Sequence, residues 1–300
     1  MLKNLWKIFV PYSLLRVPYS LLRVPHSPFM VDTQTSLWRI SQGQLNIIER
    51  CPRQFQHTYL EQLASPANPE QQEKQNLGSR FHLLMQQREM GLPIDTLLQE
   101  DEDMQQWMAA FAQAAPEIVY PSLDEQTFRD SEHYRTLQVE NYLLTVVYDL
   151  LIADADHAQI LDWKTYPKPP TKRQLQNNWQ TRLYLYVLAE TSEYLPENIS
   201  MTYWFVQSEA KSKNIKNIKF NYTSLQHEQT IKKLNNLLKK LTNYLTNYEK
   251  GKPFPQVQEG SKHCDYCQYA PRCQRQNLRE KELATETFLV SIDNIQEVSL

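Results

Sequence analysis

Between residues 134 and 163 the spacing of apolar side chains changes period. Upstream, apolar residues recur every three or four positions. Within 134–139, 143–152 and 158–163 they crowd into short runs rich in β-branched and aromatic types. Such runs need a sheet, and stretches of helical spacing on either side need a surface to cover. Those stretches span about 41–61, 75–90, 95–115, 172–195 and 225–249. The three runs read as a meander, and strands return at 199–207 and 215–222. Helices around a mixed central sheet make the expected fold class α/β.

Local signals refine the order. Ser41 can cap the first helix, and Pro52 should bend or interrupt it. Residues 64–73 read as a Pro/Gln/Glu loop, and Gly91 ends the second helix. The helix at 225–249 aligns Ile231, Leu234, Leu238, Leu241, Leu245 and Tyr248 on one face. The N-terminus is different. Pro11 to Val17 recurs as Pro18 to Val24, then degrades after Pro25. One proline per heptad forbids a regular helix, so 1–29 is set apart as an extension or a mis-assigned start, with Met30 the alternative. The folded domain is expected over 30–280, with a tail at 281–300.

Composition excludes several classes. At 41% hydrophobic and 22% charged over 300 residues, the chain can build a core. Its five glycines form neither GxGxxG nor GxxxxGK[ST], which argues against a nicotinamide enzyme or a P-loop ATPase. No apolar run reaches the roughly 18 residues of a spanning helix, and prolines interrupt any signal-like segment. A cytoplasmic protein without a membrane partner is expected. The net charge of −2 hides basic segments: residues 164–182 carry five basic side chains and no acid. Residues 211–252 carry ten lysines against Glu228 and Glu249. Patches of this kind suit phosphate backbones, as they suit any solvated helix.

Val147-Tyr148-Asp149 and Ile160-Leu161-Asp162-Trp163-Lys164-Thr165 carry the most chemistry. Asp149 and Asp162, twelve residues intervening, can meet on adjacent antiparallel strands. Paired carboxylates bind Mg²⁺ or Mn²⁺. Lys164 shares a strand face with Asp162, where an ammonium can orient a water and stabilise a phosphoryl oxygen. His82, on a helix before the sheet, is a further ligand candidate. Gln180 and Tyr184 share a helix face. With Gln176 and Arg173 on the same predicted helix, they can contact DNA or support Lys164. Glu140 is a further acid candidate, or simply a solvated strand end.

Cys264-x2-Cys267 is a chelating knuckle, and Cys273 follows after five residues. Cys51 lies more than two hundred residues upstream. Four thiolates suit tetrahedral Zn²⁺ or a 4Fe–4S cluster. Either would staple the C-terminal segment onto the first helix.

Read together over about residues 37–275, these motifs resemble the PD-(D/E)XK nucleases of the RecB-like branch. That branch includes the CRISPR-adaptation nucleases with an iron–sulfur cluster and the AddB nuclease domain. The matching motifs are Cys51-Pro52-Arg53-Gln54-Phe55, Gly78 to His82, Asp149, Asp162-Trp163-Lys164-Thr165, and Gln180 with Tyr184. The resemblance implies a restriction-endonuclease-like sheet with a C-terminal cysteine-cluster segment. It implies that His82, Asp149, Asp162 and the Trp163 carbonyl bind the divalent metal, and that Lys164 assists the attacking water. It implies a 4Fe–4S cluster on Cys51, Cys264, Cys267 and Cys273. Two positions depart: Val146 and Leu150 stand where the family usually has Gly and Arg. The expected activity is exonucleolytic cleavage of DNA, preferring single strands or free ends, in repair or recombination. Any unwinding would come from a helicase or recombination partner. A non-cleaving DNA-binding subunit and a CRISPR-adaptation nuclease are the alternatives.

Overall fold

The computed structural model describes residues 37–63, 69–99, 101–120, 127–166, 168–207 and 215–275. The repeats, Met30 and the tail lie outside them. A six-stranded mixed sheet forms the centre. Its strands are β1 (Trp38–Ile40), β2 (Phe128–Val139), β3 (Tyr142–Ala153), β4 (Ala158–Lys164), β5 (Ile199–Phe205) and β6 (Lys216–Asn221). β2, β3 and β4 are the expected meander, antiparallel throughout. β4 and β5 run parallel, and β6 closes antiparallel on β5. The short β1, which the sequence did not reveal, lies parallel to the start of β3.

Helices cover both faces. α1 (Gln42–Arg50), α8 (Trp179–Glu190) and α9 (Ser224–Glu249) share one core with the sheet, built from Leu45, Ile48, Trp179, Leu183, Leu234 and Leu238. α3 (Pro69–Glu89) and α5 (Glu102–Ala114) build the other, with Phe81, Trp107 and Phe111 against Leu161, Trp163 and Trp204. Among the described residues, no helix is long and apolar enough to cross a membrane.

Three expected helices are broken, each for a local reason. Pro52 pushes Cys51 into extended backbone (φ −157°, ψ 107°). α1 ends there, and α2 (Pro52–Phe55) begins anew before widening into a π turn at Gln56–Leu60. The 172–195 helix is two: α7 (Lys172–Asn177) and α8. Asn178 stands between them in extended backbone, and its side chain accepts the Gln180 N–H. The 95–115 helix divides into α4 (Asp95–Leu98) and α5, which Asp101 caps by accepting the Met104 N–H. α6 (Pro116–Val119) follows. α3 also begins earlier than expected, at Pro69, inside the predicted loop.

β3 breaks its own alternation. Tyr142, Leu144, Val146 and Tyr148 face the first core. Leu150 then faces the second, and Leu151 and Ala153 return to the first. The phase slips by one residue at Asp149, although the register with β2 is kept on both sides (His133 opposite Tyr148, Ser131 opposite Leu150). Glu132, opposite the slip, has a positive φ of 51°, a conformation uncommon for a residue with a side chain. Val146 and Leu150, the two departures from the family pattern, are both buried. An arginine in place of Leu150 would enter the second core.

Candidate active site

The site opens where β3 and β4 part. Their ladder runs from Ala153–Ala158 to Leu150–Leu161 and stops there. Beyond that point the Trp163 N–H has no strand partner on the β3 side. It donates instead to Asp149 Oδ2 at 2.6 Å. Asp149 thus completes the backbone hydrogen bonding with a side chain and keeps a second oxygen free for other groups.

β4 continues along β5 and presents Asp162 and Lys164 on the face covered by α8. Asp162 is buried, at 1% exposure. Its Oδ1 accepts Gln180 Nε2 at 2.5 Å, and its Oδ2 lies 2.5 Å from Lys164 Nζ. The ammonium also stands over the Tyr203 ring, 5.4 Å from its centroid. Burial raises the Asp162 carboxyl to about 7, with Lys164 pulling it down and Asp149 pushing it up. Burial works to lower the Lys164 ammonium, but Asp162 and Asp149 together hold it above its ordinary value.

His82 reaches the site from α3. Its Nδ1 lies 3.4 Å from Asp149 Oδ1, and its Nε2 lies 3.2 Å from the Trp163 carbonyl oxygen. Burial pulls the imidazole down, yet its hydrogen bond to Asp149 and that group's charge leave it raised. Gly78, one turn earlier, lets the helix come this close: a Cβ there would meet Thr165 Oγ1 at 3.0 Å.

A third carboxylate joins them. Ligand atoms of His82, Glu132 and Asp149 lie within 4.8 Å of one another. Burial raises the Glu132 carboxyl, and the Asp149 charge raises it further. Glu132 was missed, and one signal could have found it. A two-residue turn at Glu140 and Asn141 pairs Val139 with Tyr142. Counting back along the hairpin puts 132 opposite 149. Glu140 itself sits in that turn, at the far end of the hairpin, so it is not the further acid of the site.

Behind the carboxylates stand Gln180 and Tyr184, on one face of α8 as expected. Tyr184 is buried, and its ring lies edge-on to Tyr148 at 5.2 Å. Burial raises its hydroxyl above the ordinary range, and the charges of Asp162 and Asp149 add to the rise. The helix placement of Arg173 and Gln176 is corrected. Both lie exposed on α7, beyond the break at Asn178, and not on the helix that carries Gln180.

The cysteines form a second site. Cys51, Cys264, Cys267 and Cys273 are free thiols lining one cavity with Val257, Tyr269 and Ala270. Burial raises the Cys264 and Cys273 thiols; Arg53 opposes the rise at Cys273, and the neighbouring cysteines add to both. Four soft donors that face one cavity fit a thiophilic metal group.

A family model described as the PD-(D/E)XK nuclease superfamily matches residues 39–274. The chain belongs to that superfamily. No curated protein matches. Two solved structures are similar. One, called "Crystal structure of SSO0001", is 12% identical, covers 80% of this chain and 87% of its own, and has a TM-score of 0.35. The other, from Eubacterium rectale and called "Putative exonuclease", is 9% identical, covers 82% and 93%, and has a TM-score of 0.47. A PD-(D/E)XK nuclease hydrolyses phosphodiester bonds and uses divalent metals such as Mg²⁺ or Mn²⁺. The donors at the sheet edge fit such an ion: carboxylate oxygens, one imidazole and one backbone carbonyl converge there.

Proposed function

We propose that this nuclease cleaves DNA from free ends, with a preference for single strands, at the edge where β3 and β4 separate. The observation that carries the reading is the juxtaposition of Asp149, Asp162 and Lys164, with His82 beside them. His82, Asp149, Asp162 and the Trp163 carbonyl would hold Mg²⁺ or Mn²⁺, and Glu132 stands within reach of the same ion. When bound, that ion supplies Lewis-acid polarisation of the phosphoryl oxygen and acidifies the attacking water. The chain's own groups do the rest. Lys164 orients the water and meets negative charge developing on the phosphoryl oxygens. Asp162 anchors Lys164, and Gln180 fixes Asp162. Tyr184 and Tyr148 close the space behind and exclude solvent. Repair or recombination, beside a helicase that opens the duplex, is the setting that fits a chain without an ATPase motif.

For the cysteines we propose a 4Fe–4S cluster. One cysteine stands alone far upstream and three lie close together near the end, whereas structural zinc more often uses two local knuckles, and all four line one cavity.

The test is digestion of matched substrates with Mn²⁺ or Mg²⁺: linear and circular single-stranded DNA, blunt duplex, and linear RNA. Degradation of linear DNA with circles spared supports the reading. Nicking of circles would replace the exonuclease with an endonuclease, and preference for RNA would change the substrate class.

A further inference from the structure

Behind the cysteines lies a buried histidine paired with a partly buried glutamate, which the nuclease site does not use. The π turn at Gln56–Leu60 carries two consecutive residues, Gln56 and His57, into the interior at 3% and 4% exposure. Glu61, just after the turn, receives both. Gln56 Nε2 donates to Glu61 Oε1 at 2.5 Å, and His57 Nδ1 lies 2.6 Å from Glu61 Oε2. The opposite edge of the imidazole faces the cysteine site, with Nε2 3.7 Å from Cys273 Sγ. The ring is held from the side by Tyr269, whose centroid is 5.2 Å away and whose hydroxyl donates to the Leu63 carbonyl. Gln56 Oε1 accepts the Phe254 N–H, tying the turn to the C-terminal segment.

The chemistry of this row is directional. The Glu61 carboxylate engages Nδ1, so Nε2 is the ring atom left to face the sulfur, and burial fixes the ring in that direction. Hydrogen bonds to cluster sulfurs stabilise the more negative, reduced state and so raise the reduction potential.

We propose that His57, braced by Glu61, hydrogen-bonds with the Cys273 sulfur and acts as a positioning residue for the metal group carried there. It orients the ligand and sets the ease of reducing that group. The inference rests on the cluster reading above.

The experiment uses the full chain, purified anaerobically, with iron and sulfide measured first. His57→Phe, His57→Gln and Glu61→Gln are compared with the wild type by electron paramagnetic resonance during a redox titration, and by cluster loss to a chelator. At a fixed potential, the reduced fraction over the oxidised is expected to fall about tenfold in His57→Phe, a shift of about 59 mV for one electron. Glu61→Gln, which keeps the packing, should shift the same way by less, and His57→Gln should recover part of the wild-type value. A purely structural pair would lower the melting temperature and leave the potential where it was. An unchanged potential in loaded His57→Phe and Glu61→Gln overturns the proposal. If the wild type holds zinc and no iron, the cluster reading falls separately. The proposal is then decided by zinc release, faster in both variants if it holds and equal to wild type if it does not. A wild type that binds neither metal overturns both.

Discussion

The two candidate sites are built in opposite ways. At the sheet edge Asp149, Asp162, Lys164 and His82 already have partners. Asp149 takes a backbone N–H, Asp162 takes Gln180 and Lys164, and His82 sits between Asp149 and the Trp163 carbonyl. Their ligands come from a hairpin, the strand after it and one helix, all packed on two cores. The cysteine site draws one ligand from the start of the domain and three from its end, in a segment without strand or helix. Its thiols have one another, and Cys273 has His57. A site whose charges are mutually satisfied stands before its ion arrives. A site of free thiols, three of them in an irregular segment, would gain its order from a metal.

That contrast can be broken most forcefully at Lys164. Lys164→Met should lower cleavage by about 10² to 10³-fold, the typical loss for one group stabilising transition-state charge. Circular dichroism should still show a folded protein, although Tm should fall because buried Asp162 loses its counterion. Cys264→Ser should do the reverse, costing stability first. A cross-link closing a loop of more than a hundred residues contributes about 4 to 5 kcal/mol on chain entropy alone. A fall in Tm on the order of 10 °C and new protease cuts within 256–275 are expected. A Cys264→Ser protein that melts with the wild type would erase the distinction between the regions.

Smaller effects sharpen it. Gln180→Ala removes the neutral partner of Asp162 and should cost about 10- to 100-fold in activity or Mn²⁺ affinity, measurable by calorimetry. The pH dependence has a fixed sign. Asp162 is raised to about 7 and His82 is raised above its ordinary value. Both must shed protons to become ligands, so Mn²⁺ affinity should climb between pH 6 and 8. Affinity that is flat across this range would contradict the burial of Asp162. Smallest of all, Gly78→Ala should leave stability within about 1 kcal/mol, because better helix propensity offsets the contact with Thr165. It should still weaken Mn²⁺ binding severalfold by moving His82.

Legibility follows the same division. The meander was readable because its strands are densely apolar; the twelve-residue separation put Asp149 and Asp162 on adjacent strands, and period-two spacing put Lys164 on the face of Asp162. The breaks at Cys51 and Asn178 were harder. Pro52 announced the first. Nothing in the helical spacing announced the second, because the cap at Asn178 depends on a side chain turning back to its own backbone. That is why Arg173 was placed with Gln180. Glu132 was invisible to a motif because it works through the register of a neighbouring strand and a local slip in phase. The three residues of β1 are too short for any periodicity and owe their strand to β3.

The most direct measurement is cleavage of end-labelled single-stranded DNA by anaerobically purified protein with Mn²⁺ or Mg²⁺, beside Asp162→Ala at matched folding and cluster content. Metal-dependent release of labelled product by the wild type and none by the variant is the expected result. Equal activity in both proteins, or a folded and metal-loaded wild type that cuts nothing, would contradict a nuclease centre at the parting of β3 and β4.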